Sequence, residues 1–200
     1  MPAKNRDLHG SAPDKSDVAL VLVDVINDLD FPEADELMRF VPAMSKKLAA
    51  LKARAKRAGV PAIYVNDNFG RWRSDFRRQV EHCANGKARE MVERLRPDED
   101  DYFVLKPKHS GFFSTTLETL LRYLGVKQLI ITGIAGTYCV LFTANDAYMR
   151  DYTLRVPRDC CISNTREENN QALDLMEKYL RADTRPSSKI NFRRAKKRRR

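Results

Sequence analysis

LIITGIAGTYCVLFTANDA, residues 129–147, is the stretch that decides the fold. Its first five residues, Leu129–Gly133, form a short apolar run that ends at glycine, a pattern typical of a strand buried on both faces. A turn of small residues follows, and Cys139 then opens a predicted helix that runs to Met149. This order places the cysteine at a helix N-terminus on the carboxyl edge of a sheet, where open α/β sheets bind ligands. The helix dipole would favour a thiolate there, although a buried structural cysteine gives the same local pattern.

Two other candidate site residues follow apolar strands in the same way. The run Val18–Val23 ends at Asp24, and the run Tyr102–Leu105 ends at Lys106. Because right-handed crossovers bring the ends of parallel strands to one edge, an acid, a base and a thiol can meet in one cleft there. An aspartate after a strand also commonly caps a turn, so local pattern alone leaves that alternative open for Asp24.

Helical patterns alternate with the apolar strands along the chain. Further strands are predicted over residues 60–65, 128–132 and 153–156. This alternation predicts an α/β fold, a three-layer α/β/α sandwich with a mostly parallel sheet of five or six strands, of the Rossmann-like type.

Apolar spacing predicts which helix faces point inward. A helix is expected from Val41 to Ala55, and another over 117–124 that ends at Gly125. Residues 75–97 are polar and predict one or two peripheral helices. A capping box of Thr165 and Glu168 predicts the start of the last helix. Four side chains of that helix are expected to pack inward: Ala172, Leu175, Met176 and Tyr179.

The length of 200 residues fits one domain with extensions at both ends. We expect a flexible arm over 1–16, a domain over 17–190 and a disordered basic tail over 191–200. The net charge of +10 depends on residues 193–200, which hold seven basic side chains and no acid. Such a tail could bind nucleic acid or another polyanion, or be a solvated extension without a partner.

Composition limits the cellular setting. No apolar run is long enough for a membrane helix, and the N-terminal residues lack the apolar segment of a secretory signal. The four cysteines show no metal-type spacing and two of them are adjacent, which indicates free thiols in a reducing compartment. We therefore expect a cytoplasmic protein without membrane association.

Three motifs in order resemble those of the isochorismatase-like cysteine hydrolases, the superfamily that includes nicotinamidases and N-carbamoyl amidohydrolases. They are VDVINDLDF over 23–31, KPKHSGFFSTTLE over 106–118 and ITGIAGTYCVLFTANDA over 131–147. The resemblance implies a triad in which Cys139 is the nucleophile and Asp24 the general base and then acid. Lys106 would support both electrostatically and lower the thiol pKa. Lys108 is the alternative lysine, but Lys106 stands at the family's spacing before the serine-glycine-phenylalanine of the second motif.

The resemblance also implies a reaction. A substrate with a small amide, imide or N-carbamoyl group would form a thioester on Cys139, which water then hydrolyses. The oxyanion would bind the backbone N–H groups of Ala135 and Cys139, next to a non-proline cis peptide between Ile134 and Ala135. The chain departs from the family at Ile26, where many relatives have glutamine, and in the one-residue shift of the threonine, Thr137, before the cysteine.

Substrate would contact the loop after the second strand and the turn before the cysteine. The candidates for substrate binding are Asn66, Asn68, Arg71, Trp72 and Tyr138, with Arg73 as a second possible anion partner. Asp67–Asn68–Phe69 lacks the histidine of metal-binding nicotinamidases, so the resemblance implies no metal and no cofactor, and it makes nicotinamidase activity doubtful. It also implies a homo-oligomer, a dimer or a tetramer.

One non-catalytic alternative remains from the sequence. The chain could be a binding or assembly protein on this fold, with the basic tail as its working part. Thiol reactivity distinguishes the two hypotheses, because a site cysteine is expected to be an accessible thiolate and a core cysteine to be inert.

Overall fold

A parallel sheet of six strands forms the centre of the computed structural model, which describes residues 15–70, 72 and 75–192. The strands are β1 (Val18–Val23), β2 (Ala62–Asp67), β3 (Tyr102–Lys106), β4 (Gln128–Ile134), β5 (Thr153–Arg155) and β6 (Cys161–Ile162). Their order is β3-β2-β1-β4-β5, and β6 pairs with the end of β4. All of these pairings are parallel, as the alternating pattern predicts.

Helices cover both faces of the sheet and give the predicted three layers. The α-helices are α1 (Ala34–Met38), α2 (Val41–Arg57), α3 (Phe76–Cys83), α4 (Arg89–Arg94), α5 (Leu117–Leu124), α6 (Leu141–Tyr148) and α7 (Arg166–Leu180). Shorter turns are a π-helical one (Gly136–Val140) and two 3₁₀ ones (Arg158–Cys160 and Ser187–Lys189). Helices α1 to α4 pack on one face and α5 to α7 on the other.

Strand β1 lies in the middle of the sheet and shows why the apolar runs are continuous. Leu20 and Leu22 pack among the helices of one face, while Ala19, Val21 and Val23 pack among those of the other. A strand with both faces covered needs apolar side chains at every position. The register then aligns Val23 with Val65 of β2 and Gly133 of β4, so these three strands end at one edge.

The structure corrects three helix predictions. The region 75–97 is not peripheral, because Phe76, Val80 and Met91 are buried in the core. Helix α7 begins at the predicted capping box, but two of its expected core residues face out, with Leu175 42% and Tyr179 61% exposed.

The core face of α7 is instead completed by Asn169, Leu173 and Leu180. Cys139 does not open an α-helix either; it lies in the π-helical turn that precedes α6.

Several predictions fall outside the described residues. They include the arm up to residue 14, Arg71, Arg73 and the basic run 193–200. Among the helices that the structure does describe, none is both long and apolar enough to cross a membrane.

Candidate active site

The predicted acid, lysine and cysteine meet at the carboxyl edge of the sheet. Asp24 directly follows β1 and adopts a left-handed backbone conformation with φ of 50°, while its N–H donates to the carbonyl of Val65 at 3.0 Å. Lys106 is the last residue of β3, and Cys139 lies in the turn after β4. Three strands therefore deliver three chemically different side chains to one place.

Lys106 is the centre of this cluster. Its Nζ lies 2.9 Å from Oδ2 of Asp24 and 3.4 Å from Sγ of Cys139. The side chain is 0% exposed, whereas Lys108, the alternative lysine, is exposed. A fully buried ammonium is tolerated only with charged or strongly polar partners, and here it has both.

Asp67, at the end of β2, is a fourth member that the sequence did not single out as a site residue. Its Oδ2 lies 3.7 Å from Nζ of Lys106, and its backbone N–H donates to Oδ1 of Asp24 at 2.7 Å. The Asp67 side chain is 37% exposed and the Asp24 side chain only 7%. The available signal was the parallel register, which aligns Asp67 with Lys106.

Burial dominates the electrostatics of the site. It raises the pKa of Asp24 above its ordinary value, although the charge of Lys106 and a hydrogen bond from Cys139 act in the opposite direction. Burial alone would lower the pKa of Lys106, but the negative charge of Asp24, with Cys139 and Asp67, outweighs it and raises that pKa. Lys106 therefore stays protonated.

The thiol differs from the sequence-based expectation. Burial first, and then the charge of Asp24, raise the pKa of Cys139 to about 12, against the lowering influence of Lys106. The lysine thus acts in the predicted direction, but the net shift is upward. The Cys139 thiol is therefore neutral near pH 7, and its hydrogen-bond partners are the carboxyl group of Asp24 and the ammonium of Lys106.

Close packing fixes the backbone before Cys139. Gly133 has φ of +117°, and a Cβ there would lie 2.0 Å from the carbonyl oxygen of Val23. The peptide bond between Ile134 and Ala135 is cis. The carbonyl of Ala135 then accepts the N–H groups of Tyr138 at 3.0 Å and Val140 at 3.1 Å. These contacts turn the chain sharply, so that Cys139 projects toward Lys106.

The turn also limits which groups can bind an oxyanion. The N–H of Thr137 donates to Oγ of Ser163 at 3.1 Å, so this group is occupied. The predicted pair of donors, Ala135 and Cys139, remains a proposal.

The substrate-binding candidates have very different surroundings. Asn66 is 0% exposed and its Nδ2 donates to the carbonyl of Ile26 at 2.8 Å. Within the described residues its Oδ1 is buried without a hydrogen-bond partner. Asn68 is half-buried, and its Oδ1 accepts the N–H of Gly70 at 2.9 Å. Trp72 is 83% and Tyr138 56% exposed, which leaves their rings available at the surface.

Three exposed aromatic side chains lie close in sequence to Lys106 and Cys139. The ring of His109 lies 5.7 Å from that of Tyr138 and 5.6 Å from that of Phe142, measured between centroids. All three side chains are exposed. His109 follows Lys106 by three residues and Tyr138 directly precedes Cys139, so these rings connect the segments that supply the lysine and the cysteine.

One carboxylate cluster in the described part of the chain has the composition of a cation site. Its members are Asp98, Asp100 and Asp101. Two lysines partly neutralise the three carboxylates, because Nζ of Lys52 lies 2.6 Å from Asp101 and Nζ of Lys56 lies 2.9 Å from both other aspartates. This arrangement is a network of ion pairs on α2 and the loop before β3.

Comparison with known proteins gives matches over most of the chain. The family model "Isochorismatase domain" matches residues 18–184. The uncharacterized isochorismatase family protein YaaI of Bacillus subtilis strain 168 is 43% identical over 169 residues, which cover 84% of this chain and 93% of that protein. A shorter match, 41% identical over 63 residues, links 32% of this chain to 27% of the ureidoacrylate amidohydrolase RutB of Klebsiella pneumoniae.

Solved structures show the same fold. N-carbamoylsarcosine amidase from Thermoplasma acidophilum superimposes with a TM-score of 0.68 at 26% identity, covering 88% of this chain and 99% of that one. The nicotinamidase SaPncA from Staphylococcus aureus gives a TM-score of 0.66 at 22% identity, with 84% and 99% covered, and supports the fold alone.

Proposed function

The chain belongs to the isochorismatase family of hydrolases, and we propose that it is a cysteine amidohydrolase acting on a small amide, imide or N-carbamoyl compound. One observation carries the proposal: a completely buried lysine contacts both a carboxylate, at 2.9 Å, and a thiol, at 3.4 Å. Burying a charge is costly, so a structural role alone gives little reason to keep this cluster beside the partly exposed Cys139 and Asp67.

The first half of the proposed reaction begins with the neutral thiol. Asp24 takes the proton from Sγ of Cys139 while the sulfur attacks the carbonyl carbon of the substrate. Lys106 stabilises the negative charge as it passes from the carboxylate to the sulfur. The carbonyl oxygen becomes an oxyanion on the N–H groups of Ala135 and Cys139. Asp24 then returns the proton to the leaving nitrogen, the C–N bond breaks, and a thioester remains on Cys139.

The second half repeats the same proton path with water. Asp24 takes a proton from the water that attacks the thioester, and a second tetrahedral intermediate forms. Its collapse breaks the C–S bond and releases the acid, while the proton held by Asp24 returns to the sulfur. Every proton transfer uses side chains of this chain, so we propose that the reaction requires no metal or cofactor.

The comparisons support this substrate class without naming the compound. N-carbamoylsarcosine amidase and the ureidoacrylate amidohydrolase both have names that denote hydrolysis of C–N bonds. Asp67 favours substrates that present N–H groups rather than a carboxylate, because its own partly exposed carboxylate borders the reacting atoms. A primary amide or a terminal carbamoyl group meets this requirement.

The test is a panel of small primary amides, imides and ureido compounds with the wild-type chain, Cys139→Ala and the matched control Cys83→Ala. Hydrolysis is assayed by ammonia release and, for the imides, whose nitrogen stays in the product as an amide, by loss of substrate. We expect hydrolysis by the wild type and the control, none by Cys139→Ala, and an acyl adduct on the Cys139 peptide by mass spectrometry. Full hydrolysis by Cys139→Ala would exclude the proposed nucleophile.

The pH dependence provides a second check. Asp24 must be ionised to accept the proton, so kcat/KM should rise as pH increases through its pKa, which lies above the ordinary value. Lys106 must be protonated, and its pKa is also raised. Activity should therefore persist into the alkaline range, without a decline near the ordinary pKa of a thiol of about 8.5.

A further inference from the structure

We propose that Ser163 and Asn169 are positioning residues that hold the turn Gly136–Val140, here called the nucleophile turn, and so fix the sulfur of Cys139 beside Asp24 and Lys106. This inference rests on the proposed function. It concerns two residues outside the three sequence motifs, one directly after β6 and one in α7.

A chain of hydrogen bonds connects the two residues to the turn. Oγ of Ser163 accepts the N–H of Thr137 at 3.1 Å and donates to Oδ1 of Asn169 at 3.1 Å. Nδ2 of Asn169 donates to the carbonyl of Cys161 at 3.2 Å. Ser163 is 1% and Asn169 8% exposed. Because the asparagine amide fixes the direction of the serine O–H, the serine lone pair is left for the turn.

Packing gives independent evidence for the same contact. A Cβ added to Gly136 would lie 2.2 Å from Oδ1 of Asn169 and 3.0 Å from Oγ of Ser163. The φ of Gly136 is not in the left-handed region, so this glycine is needed for space and not for conformation. The amide of Asn169 thus packs against the backbone of Gly136, the first residue of the nucleophile turn.

The consequence for the site is positional. Thr137 lies two residues before Cys139, and one N–H bond to a buried hydroxyl determines where this part of the turn can lie. A turn that loosened would move the sulfur away from the buried position that raises its pKa to about 12. Small displacements of reacting groups cost large factors in rate.

The experiment measures alkylation of Cys139 by iodoacetamide from pH 7 to 11, read from its peptide by mass spectrometry. In Ser163→Ala we expect the apparent pKa of Cys139 to fall toward the ordinary value, which raises the alkylation rate at pH 8 by about 10-fold after allowance for the weaker nucleophile. Asn169→Ala should shift the profile of Cys139 in the same direction. If Ser163→Ala does not fold, Asn169→Ala serves as the test in its place.

A matched control, Ser45→Ala, distinguishes a positioning role of Ser163 from the general effect of removing a buried hydroxyl. Ser45 is 0% exposed on α2, where its Oγ accepts from Arg94 and donates to the carbonyl of Pro42. Ser45→Ala should lower Tm about as much as Ser163→Ala but leave the Cys139 profile unchanged. If neither Ser163→Ala nor Asn169→Ala shifts the profile more than Ser45→Ala, the positioning role is wrong.

A double variant tests the contact itself. Gly136→Ala should lower Tm because its methyl group meets the Asn169 amide, and adding Asn169→Ala should recover part of that loss. Strictly additive losses, or a Gly136→Ala protein with the wild-type Tm, would overturn the contact.

These measurements need no substrate. If Cys139→Ala hydrolyses the amide panel as the wild type does, the proposed function is wrong. If the alkylation profile of Cys139 does not shift in the Ser163 and Asn169 variants, the positioning role is wrong.

Discussion

Replacing Asp24 by asparagine is expected to make Cys139 more reactive toward alkylation while it abolishes hydrolysis. The amide keeps the shape of the side chain, and its oxygen can still accept the N–H of Asp67, which now bonds to Oδ1 of Asp24 at 2.7 Å. The negative charge that raises the pKa of the thiol is removed, and the ammonium of Lys106 remains beside the sulfur. In the variant, the ammonium of Lys106 no longer pairs with the carboxylate of Asp24, so its positive charge stabilises the thiolate of Cys139 more strongly.

The size of the effect follows from the repulsion that the Asp24 carboxylate exerts on the thiolate, its hydrogen-bond partner. At about 4 Å, two like unit charges repel by about 4 kcal/mol for an effective dielectric constant of 20. Partial solvent access at Cys139 and the nearby ammonium of Lys106 reduce this repulsion, so we expect the thiol pKa to fall by about 2 to 3. The thiolate fraction at pH 8 rises about 100- to 1,000-fold, while the lower basicity weakens each thiolate, which leaves a net gain in alkylation rate of about 10- to 50-fold.

The assay compares the iodoacetamide rate of the Cys139 peptide in the wild type, Asp24→Asn and Asp28→Asn. Asp28 lies in the same loop, but its carboxylate pairs with His82 at 3.2 Å, so its replacement should change the rate less than twofold. Hydrolysis of any substrate found in the amide panel should fall by about 10²- to 10⁴-fold in Asp24→Asn, the usual cost of losing a general base.

Two results would refute the reasoning. If Asp24→Asn alkylates no faster than the wild type, the carboxylate does not set the protonation state of the thiol. If the variant hydrolyses amides at the wild-type rate, the proton does not pass through Asp24. Reactivity in the wild type alone cannot discriminate, because burial also raises the pKa of Cys161, to about 12.

Three further predictions concern the framework of the site. Gly133→Ala should unfold the protein or cost more than about 4 kcal/mol, because the new Cβ would lie 2.0 Å from the Val23 oxygen at a positive φ; soluble yield and urea denaturation measure this. Asp146→Ala should lower the free energy of unfolding by about 1–3 kcal/mol, since its carboxylate accepts the buried hydroxyl of Ser110, and urea midpoints check it. Thr165→Ala removes the N-cap of α7 and should cost about 1 kcal/mol in the same assay.

The sheet could be predicted because its strands are buried on both faces. The apolar run Val18–Val23 matches β1 residue for residue, and the predicted strand over 60–65 is shifted by two residues from β2, Ala62–Asp67. The rule that parallel strands end at one edge was enough to predict that Asp24, Lys106 and Cys139 lie at the same edge of the sheet, without knowledge of the strand order. Motif spacing, and not hydropathy, selected Lys106 over Lys108, because the sequence alone does not distinguish a buried lysine from a surface lysine.

The inward face of α7 could not be predicted from hydropathy. Ala172 and Met176 belong to two adjacent helical stripes, one with Leu175 and Tyr179 and the other with Leu173 and Leu180, and both stripes are apolar. The structure buries the other stripe, which contains Asn169. A buried asparagine is tolerated because its amide is hydrogen-bonded to Ser163 and to the carbonyl of Cys161, both in the segment just before the helix, and hydropathy does not register such bonds.

The turn at Cys139 was also beyond local sequence rules. The pattern that follows β4 suits an α-helix, and the π-helical turn arises because the carbonyl of Ala135 accepts the N–H of Val140, five residues on. Space, and not helix propensity, selects this geometry: Gly133 must approach Val23, and Gly136 must approach Asn169. Tertiary contacts of this kind override local preference.

In the proposed reaction, the position of Lys106 resolves a conflict in the role of Asp24. A carboxylate close enough to take the thiol proton also disfavours the thiolate, and burial strengthens that repulsion. When the proton moves from sulfur to Asp24, the negative charge moves from a point 2.9 Å from the ammonium to one 3.4 Å from it. With an effective dielectric constant of 20, the attraction to Lys106 changes by only about 1 kcal/mol, so the lysine supports both states almost equally. A lysine closer to either partner would stabilise one protonation state and raise the barrier to reaching the other. The cluster therefore needs Lys106 to be held in a fixed position between Asp24 and Cys139, and its complete burial provides this.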